Sequence, residues 1–187
     1  MAESSSEQER VIIFIDGSNF YHSLKDSFDL HDNEINFNKL INILKNGKML
    51  VGIYYYNAPL DRGYNQKIYR KQQIFFSELR KIPGFNVILC NMRKTINKDG
   101  KPEFTVKGDD IYLATDMVSF AYENKYDIAI LVSGDGDFVP AIKRIQKLGK
   151  NVENAFFNVS SSNFLKNVCN SSICLDEFAL ECLKEKD

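Results

Sequence analysis

Two runs of the chain are apolar without interruption: residues 11–15, Val-Ile-Ile-Phe-Ile, and residues 128–132, Ile-Ala-Ile-Leu-Val. Such runs, rich in β-branched residues and stopped by Asp-Gly or Ser-Gly, predict strands buried on both faces. Similar segments predict strands at 49–56, 85–91 and 151–157. Between them apolar residues recur at helical spacing, at 37, 40, 41 and 44, at 68, 69, 75, 76 and 79, and at 113, 114, 117, 118 and 121. Helices are therefore predicted over 19–25, 37–44, 66–79, 109–124 and 138–148, the last ended by Gly149. Residues 93–106 break the rhythm and predict a polar hairpin turning at Asn97-Lys98-Asp99-Gly100. Short helices at 164–168 and 176–183, around a small strand at 173–175, complete the chain, with Phe156, Phe157 and Phe164 assigned to the core in preference to a dimer face. Buried strands alternating with helices predict an α/β fold: three layers, α/β/α, around a central, mostly parallel five-stranded sheet. In such sheets functional groups gather beyond the carboxyl ends of the strands.

Composition narrows the class. At 187 residues, 44% hydrophobic and 26% charged, the chain suits one domain over 11–187 behind a flexible polar leader at 1–10. No apolar run approaches the roughly 20 residues of a membrane span, and the leader lacks the basic start and apolar middle of a signal peptide. Cys90, Cys169, Cys174 and Cys182 form no Cys-x-x-Cys pair, and neither His22 nor His31 lies near them. That pattern argues against zinc and for reduced thiols in a cytoplasmic protein. The net charge of −1 hides a division: between 62 and 107 eleven Lys and Arg face three acids, leaving the middle at +8 and the remainder at −9. A basic stretch beside an acidic remainder suggests a polyanion-binding surface next to an acidic site.

The acids fall where a site is expected. Asp16-Gly17-Ser18-Asn19 follows the first strand, and Ser133-Gly134-Asp135-Gly136-Asp137 follows the fourth. Asp110 opens the long helix three, four and seven positions before Leu113, Ala114 and Met117, which places it on their core-facing side; Asp109 and Asp116 share another face. Converging carboxylates at Asp16, Asp110, Asp135 and Asp137 repel one another unless a cation neutralises them, and a hard, oxygen-preferring Mg²⁺ or Mn²⁺ suits them. The glycines at 17, 134 and 136 allow tight turns and leave room for a phosphate, and Asn19 supplies an uncharged partner for a phosphate oxygen. Each acid alone also reads as an ordinary turn former or helix cap. Lys67, Arg70, Lys71, Arg93, Lys94 and Lys107, interleaved with Tyr54, Tyr55, Tyr56, Tyr64 and Tyr69, match a single-strand nucleic-acid surface; their ordinary reading is the wet side of a helix and a blunted hairpin edge.

In that order and spacing, Asp16-Gly-Ser-Asn19, then Lys107-Gly-Asp-Asp110 with Asp116 beyond, then Ser133-Gly-Asp135-Gly-Asp137, the chain resembles the NYN domain family, PIN-like nuclease domains, most of all its LabA-like branch. Ser161-Ser162 with Phe164-Leu165 resembles the serine-bearing segment after the last core strand. The resemblance implies a PIN-like five-stranded parallel sheet and metal-dependent cleavage of RNA leaving a 5′-phosphate. It implies metal-holding acids at Asp16 and Asp135, with Asp110 on the acid of the Lys-Gly-x-Asp segment, Asp137 as second acid of its motif, and Asn19 as polar partner of Asp16. Asp109 departs from the family pattern and leaves open which of Asp109 and Asp110 touches metal.

Two other classes compete. One is a domain of the same fold that binds RNA or protein without turnover. The other is a haloacid-dehalogenase-like phosphatase, for which Gly134-Asp135-Gly136-Asp137 is a loose match; its Asp-x-Asp after the first strand is broken here by Ser18. A Ser or Cys nucleophile lacks an evident base, His22 being the nearest candidate.

Overall fold

The computed structural model describes residues 8–60, 65–96 and 102–185, and for 91–96 and 102–107 the backbone alone. The elements are β1 (Arg10–Asp16), α1 (Gly17–Phe28), α2 (Phe37–Lys45), β2 (Met49–Asn57), α3 (Gln66–Leu79), β3 (Phe85–Leu89), β4 (Asn91–Ile96), β5 (Pro102–Lys107), α4 (Asp109–Tyr122), β6 (Ile128–Val132), α5 (Val139–Lys147), β7 (Asn151–Phe156), α6 (Asn163–Val168) and β8 (Ser171–Cys174). β4 and β5 form the expected antiparallel hairpin, with Asn91 opposite Lys107 and Ile96 opposite Pro102; its turn lies outside the described residues, as does most of the polar leader.

The main sheet has six strands, all parallel, in the order β3-β2-β1-β6-β7-β8. The expected count of five is thus one short. β8 is a full edge partner of β7, pairing Glu153 with Ser171 through Phe156 with Cys174. The small strand expected at 173–175 is this one, standing at 171–174; its half-exposed Ser-Ser-Ile-Cys has no apolar run to mark it as part of the sheet. The helix predicted over 176–183 is also absent: a single 3₁₀ turn, Leu175–Glu177, stands there.

Side-chain parity along β1 builds the three layers. Val11, Ile13 and Ile15 pack with α1, α2 and α3 through Phe20, Leu24, Leu40 and Phe76. Ile12 and Phe14 pack on the other face with Leu113 and Met117 of α4, Ile142 of α5 and Leu165 of α6. All these strand residues are fully buried, which explains why β1 reads as a continuous apolar run.

The order reverses direction between β1 and β6. That reversal is a topological switch point, where loops from adjacent strands leave to opposite sides and open a crevice. At the opposite edge, Arg10 closes the sheet: its guanidinium meets Asp127 at 2.8 Å and Asn124 at 2.8 and 3.1 Å, while Lys150 reaches the same Asp127 carboxylate at 3.2 Å.

Candidate active site

Asp16 ends β1 on the α4 side, by the parity of Ile12 and Phe14. It caps α1, its Oδ1 accepting the Asn19 backbone N–H at 3.0 Å. Its Oδ2 accepts the Ser133 hydroxyl at 3.0 Å, across the switch point. The same hydroxyl accepts the Asp135 backbone N–H at 3.1 Å, so Ser133 ties the two acidic turns together. Asp135 caps a 3₁₀ turn, Gly136–Phe138, its Oδ1 accepting the Asp137 N–H at 2.9 Å. Both acids therefore act as caps, as their residue types suggest, and stand at the crevice as well.

The electrostatics bring five carboxylates to this point. Burial raises the Asp16 carboxyl to about 6; the Asn19 and Ser133 hydrogen bonds oppose the shift, and Asp110 and Asp109 add repulsion. Asp110 is also raised, by burial first and then by Asp109, Asp135 and Asp137. Burial lifts the Cys90 thiol to about 11, with Asp109, Asp110 and Asp116 contributing, so it is no thiolate nucleophile at neutral pH.

The face assigned to Asp110 needs correction. The buried stripe of α4 is Asp109, Leu113, Met117 and Ala121, stepping by four from the first residue of the helix. Asp109 is 7% exposed and has no hydrogen bond or ion pair among the described residues, whereas Asp110 stands exposed at the rim, one residue further round. α4 begins at Asp109 as expected, after Gly108 at φ 90°, and the stripe through Leu113 and Met117 reaches back four residues to Asp109, leaving Asp110 about 100° round from it. Asp116, further along α4, accepts the buried Tyr56 hydroxyl at 2.8 Å.

Asn19 has a role that spacing did not disclose. Its Oδ1 accepts the Gly134 backbone N–H at 3.0 Å and the Ser160 hydroxyl at 3.4 Å, and Ser160 in turn accepts from Ser23 at 2.8 Å. That fixes the amide so that its Nδ2 is the end with no partner among the described residues. The glycines also serve differently from expectation. A Cβ on Gly134 would stand 1.9 Å from the Ser160 carbonyl oxygen, and one on Gly17 would stand 2.5 Å from the Tyr55 ring. The space they free is filled by the protein, not left for phosphate. Beneath the turn, Asn154 is 1% exposed and donates to the carbonyls of Leu131 and Ser133 at 3.2 and 2.8 Å, while its Oδ1 has no partner among the described residues. Ser133 lies inside a visible motif; Ser23, Ser160 and Asn154 carried no sequence signal.

Lys67, Arg70 and Lys71 are exposed on the first half of α3, with no ion pair among the described residues. The side chains of Arg93, Lys94 and Lys107 lie outside the described residues. The tyrosine platform does not form as expected: Tyr55 and Tyr56 are fully buried, and Tyr54 packs on Phe14 and Phe120 at 5.8 and 5.1 Å. Tyr69 is half-buried, and Tyr64 lies outside the described residues. His22 is exposed against Tyr21, away from any hydrogen bond to the acids among the described residues.

No three His, Cys, Asp or Glu side chains among the described residues stand close enough to hold a metal ion as placed. The donor set nevertheless fits a hard divalent cation. It is entirely carboxylate oxygen, and the raised Asp16 and Asp110 mark a concentration of negative charge that a cation would relieve.

A parallel α/β sheet with carboxylates massed at its switch point agrees with the PIN-like architecture expected from the motifs. The model of the NYN domain matches residues 10–176, and the chain belongs to that family, a PIN-like nuclease family. The crystal structure of VPA0982 from Vibrio parahaemolyticus, a protein of unknown function, is similar at 26% identity with a TM-score of 0.73, covering 93% of this chain and 97% of its own. MurG from Acinetobacter baumannii shares 8% identity with a TM-score of 0.40, over 88% of this chain and 40% of its own, a likeness that carries no argument. No curated protein matches the sequence.

Proposed function

We propose that the protein is a metal-dependent ribonuclease that hydrolyses RNA phosphodiester bonds at the β1/β6 crevice. The observation that supports this reading is that Asp110 lies within electrostatic reach of Asp109, Asp135 and Asp137, and Asp16 within reach of Asp110, so acids from three chain segments share the crevice region. Mg²⁺ or Mn²⁺, held by Asp16, Asp110 and Asp135 with Asp137 beside them, would supply Lewis-acid activation of water and neutralise phosphate charge. The chain's own groups do the rest. Asn19 donates its Nδ2 to a non-bridging oxygen of the scissile phosphate. Asp137, exposed at the mouth, orients the attacking water and takes its proton. Lys67, Arg70 and Lys71 bind flanking phosphates, which makes binding salt-dependent. Asp109 lies within electrostatic reach of Asp16 and Asp110 and adds to the negative field.

The absence of a ready-made cage among the described residues favours a second reading, RNA binding without turnover. The phosphatase reading is disfavoured: both oxygens of Asp16 already accept hydrogen bonds in a buried setting, which is poor for a nucleophile. The test incubates labelled single-stranded RNA, a stem-loop RNA and single-stranded DNA with protein in Mg²⁺, Mn²⁺ or EDTA. Cleavage of RNA that EDTA abolishes is expected, with 5′-phosphate products. RNA retained but uncut in every metal would favour the binding module.

A further inference from the structure

With Tyr55 and Tyr56 buried, the rings available to a ligand lie elsewhere. Because all six strands run parallel, their carboxyl ends share one edge, and α3, α4 and α6 begin there. Exposed apolar side chains collect along it: Ile111 and Tyr112 on the first turn of α4, Val159 on the loop after β7, and Phe164 on the first turn of α6, which is 76% exposed. Phe164 was assigned to the core; Phe156 and Phe157 do lie there, but Phe164 does not. Tyr112 follows Asp110 by two residues. Phe164 follows Ser162 by two, and the Ser162 hydroxyl lies 3.0 Å from where a Cβ on Gly136 would stand, in the turn between Asp135 and Asp137. Both rings stand on the first turns of helices that begin at this edge, Tyr112 three residues after Asp109, and Lys67, Arg70 and Lys71, without an ion pair among the described residues, stand on the first half of α3 at the same edge.

Cations that track phosphates beside exposed rings suit a single strand, whose bases are free to stack. A duplex keeps its bases stacked internally and offers such rings nothing. Resting on the ribonuclease reading above, we infer that Tyr112 and Phe164 are base-stacking platforms that hold single-stranded RNA on either side of the scissile phosphate.

The test measures fluorescence anisotropy of a labelled 12-nucleotide single strand and of its duplex. The full chain carries Asp135→Asn, in Mg²⁺, so that the RNA stays intact. Phe164→Ala and Tyr112→Ala each weaken single-strand binding about tenfold, Phe164→Tyr retains it, and duplex binding does not change. Thermal melts confirm that these exposed substitutions leave the fold intact. The inference is overturned if both alanine proteins bind the single strand as tightly as their parent, if single strand and duplex weaken alike, or if no RNA binds. Cleavage assays with Asp135 restored separate the two claims. Ring-dependent binding without metal-dependent cleavage removes the ribonuclease reading alone. Metal-dependent cleavage with ring-independent binding removes the platforms alone.

Discussion

Replacing Asp16 by Asn turns the buried negative charge into a stability measurement. Asp16 is 5% exposed, and its carboxyl lies at about 6 instead of its ordinary 3.8. A carboxyl raised on folding binds its proton more tightly in the native state. Its contribution to stability is complete below pH 3.8 and is lost as pH rises through about 6. At pH 7.5 the ionised group therefore costs up to about 3 kcal/mol relative to pH 3.8, at about 1.4 kcal/mol per pH unit of displacement. Asn is an equally good cap and still accepts from the Asn19 N–H, but it disturbs the bond from Ser133, a loss of about 1 kcal/mol. The net expectation in EDTA at pH 7.5 is that Asp16→Asn is more stable by about 1–2 kcal/mol, roughly 3–6 °C in Tm for a chain of this size. The gain shrinks through pH 6 and disappears or reverses near pH 4.5. Urea melts of both proteins across that range read the difference directly. A difference that does not vary with pH, or a substituted protein less stable at pH 7.5, would refute the buried-charge argument.

Other expectations follow from the same geometry. Gly134→Ala drives a methyl to 1.9 Å from the Ser160 carbonyl oxygen, so the loop after β7 must shift; a loss of at least about 2 kcal/mol in denaturant melts is expected, along with the Asn19–Ser160 contact. Asn154→Leu removes both donors that hold the Leu131 and Ser133 carbonyls and costs about 2 kcal/mol in the same melts, although it also removes an orphan acceptor. Millimolar Mg²⁺ or Mn²⁺ raises the Tm of the unsubstituted protein by a few degrees and leaves Asp16→Asn and Asp135→Asn nearly unmoved, because binding to the native state alone stabilises it.

Much of this was legible along the chain. β1 and β6 announced themselves because both faces are buried, and Asp16 and Asp135 were found because they follow those runs directly. What failed depends on packing. The sixth strand, β8, was expected as a small strand at 173–175 but not as a member of the sheet, because its short half-exposed Ser-Ser-Ile-Cys carries no sign of pairing with β7. Tyr55 and Tyr56 look like platform residues beside a basic stretch, yet period-two alternation sends them into opposite cores. The start of α4 was read correctly at 109, but its buried stripe runs in steps of four through 113, 117 and 121, which puts Asp109 and not Asp110 on the core side. Gly17 and Gly134 were legible as necessary but not in their reason, since close approach by Tyr55 and Ser160 is tertiary. The Asn19–Ser160–Ser23 chain spans 141 positions at its longest link, beyond any local pattern.

The claim at the centre is that the carboxylates at the switch point cut RNA. The most direct measurement compares the single-turnover rate of cleavage of single-stranded RNA in Mn²⁺ by the unsubstituted protein and by Asp135→Asn, purified side by side. Asp135 caps a short turn that Asn caps as well, so the fold is retained while the charge is lost. The account predicts a loss of about 100-fold or more, in line with removing one metal-binding group. Equal rates in the two proteins would contradict it and place the activity elsewhere.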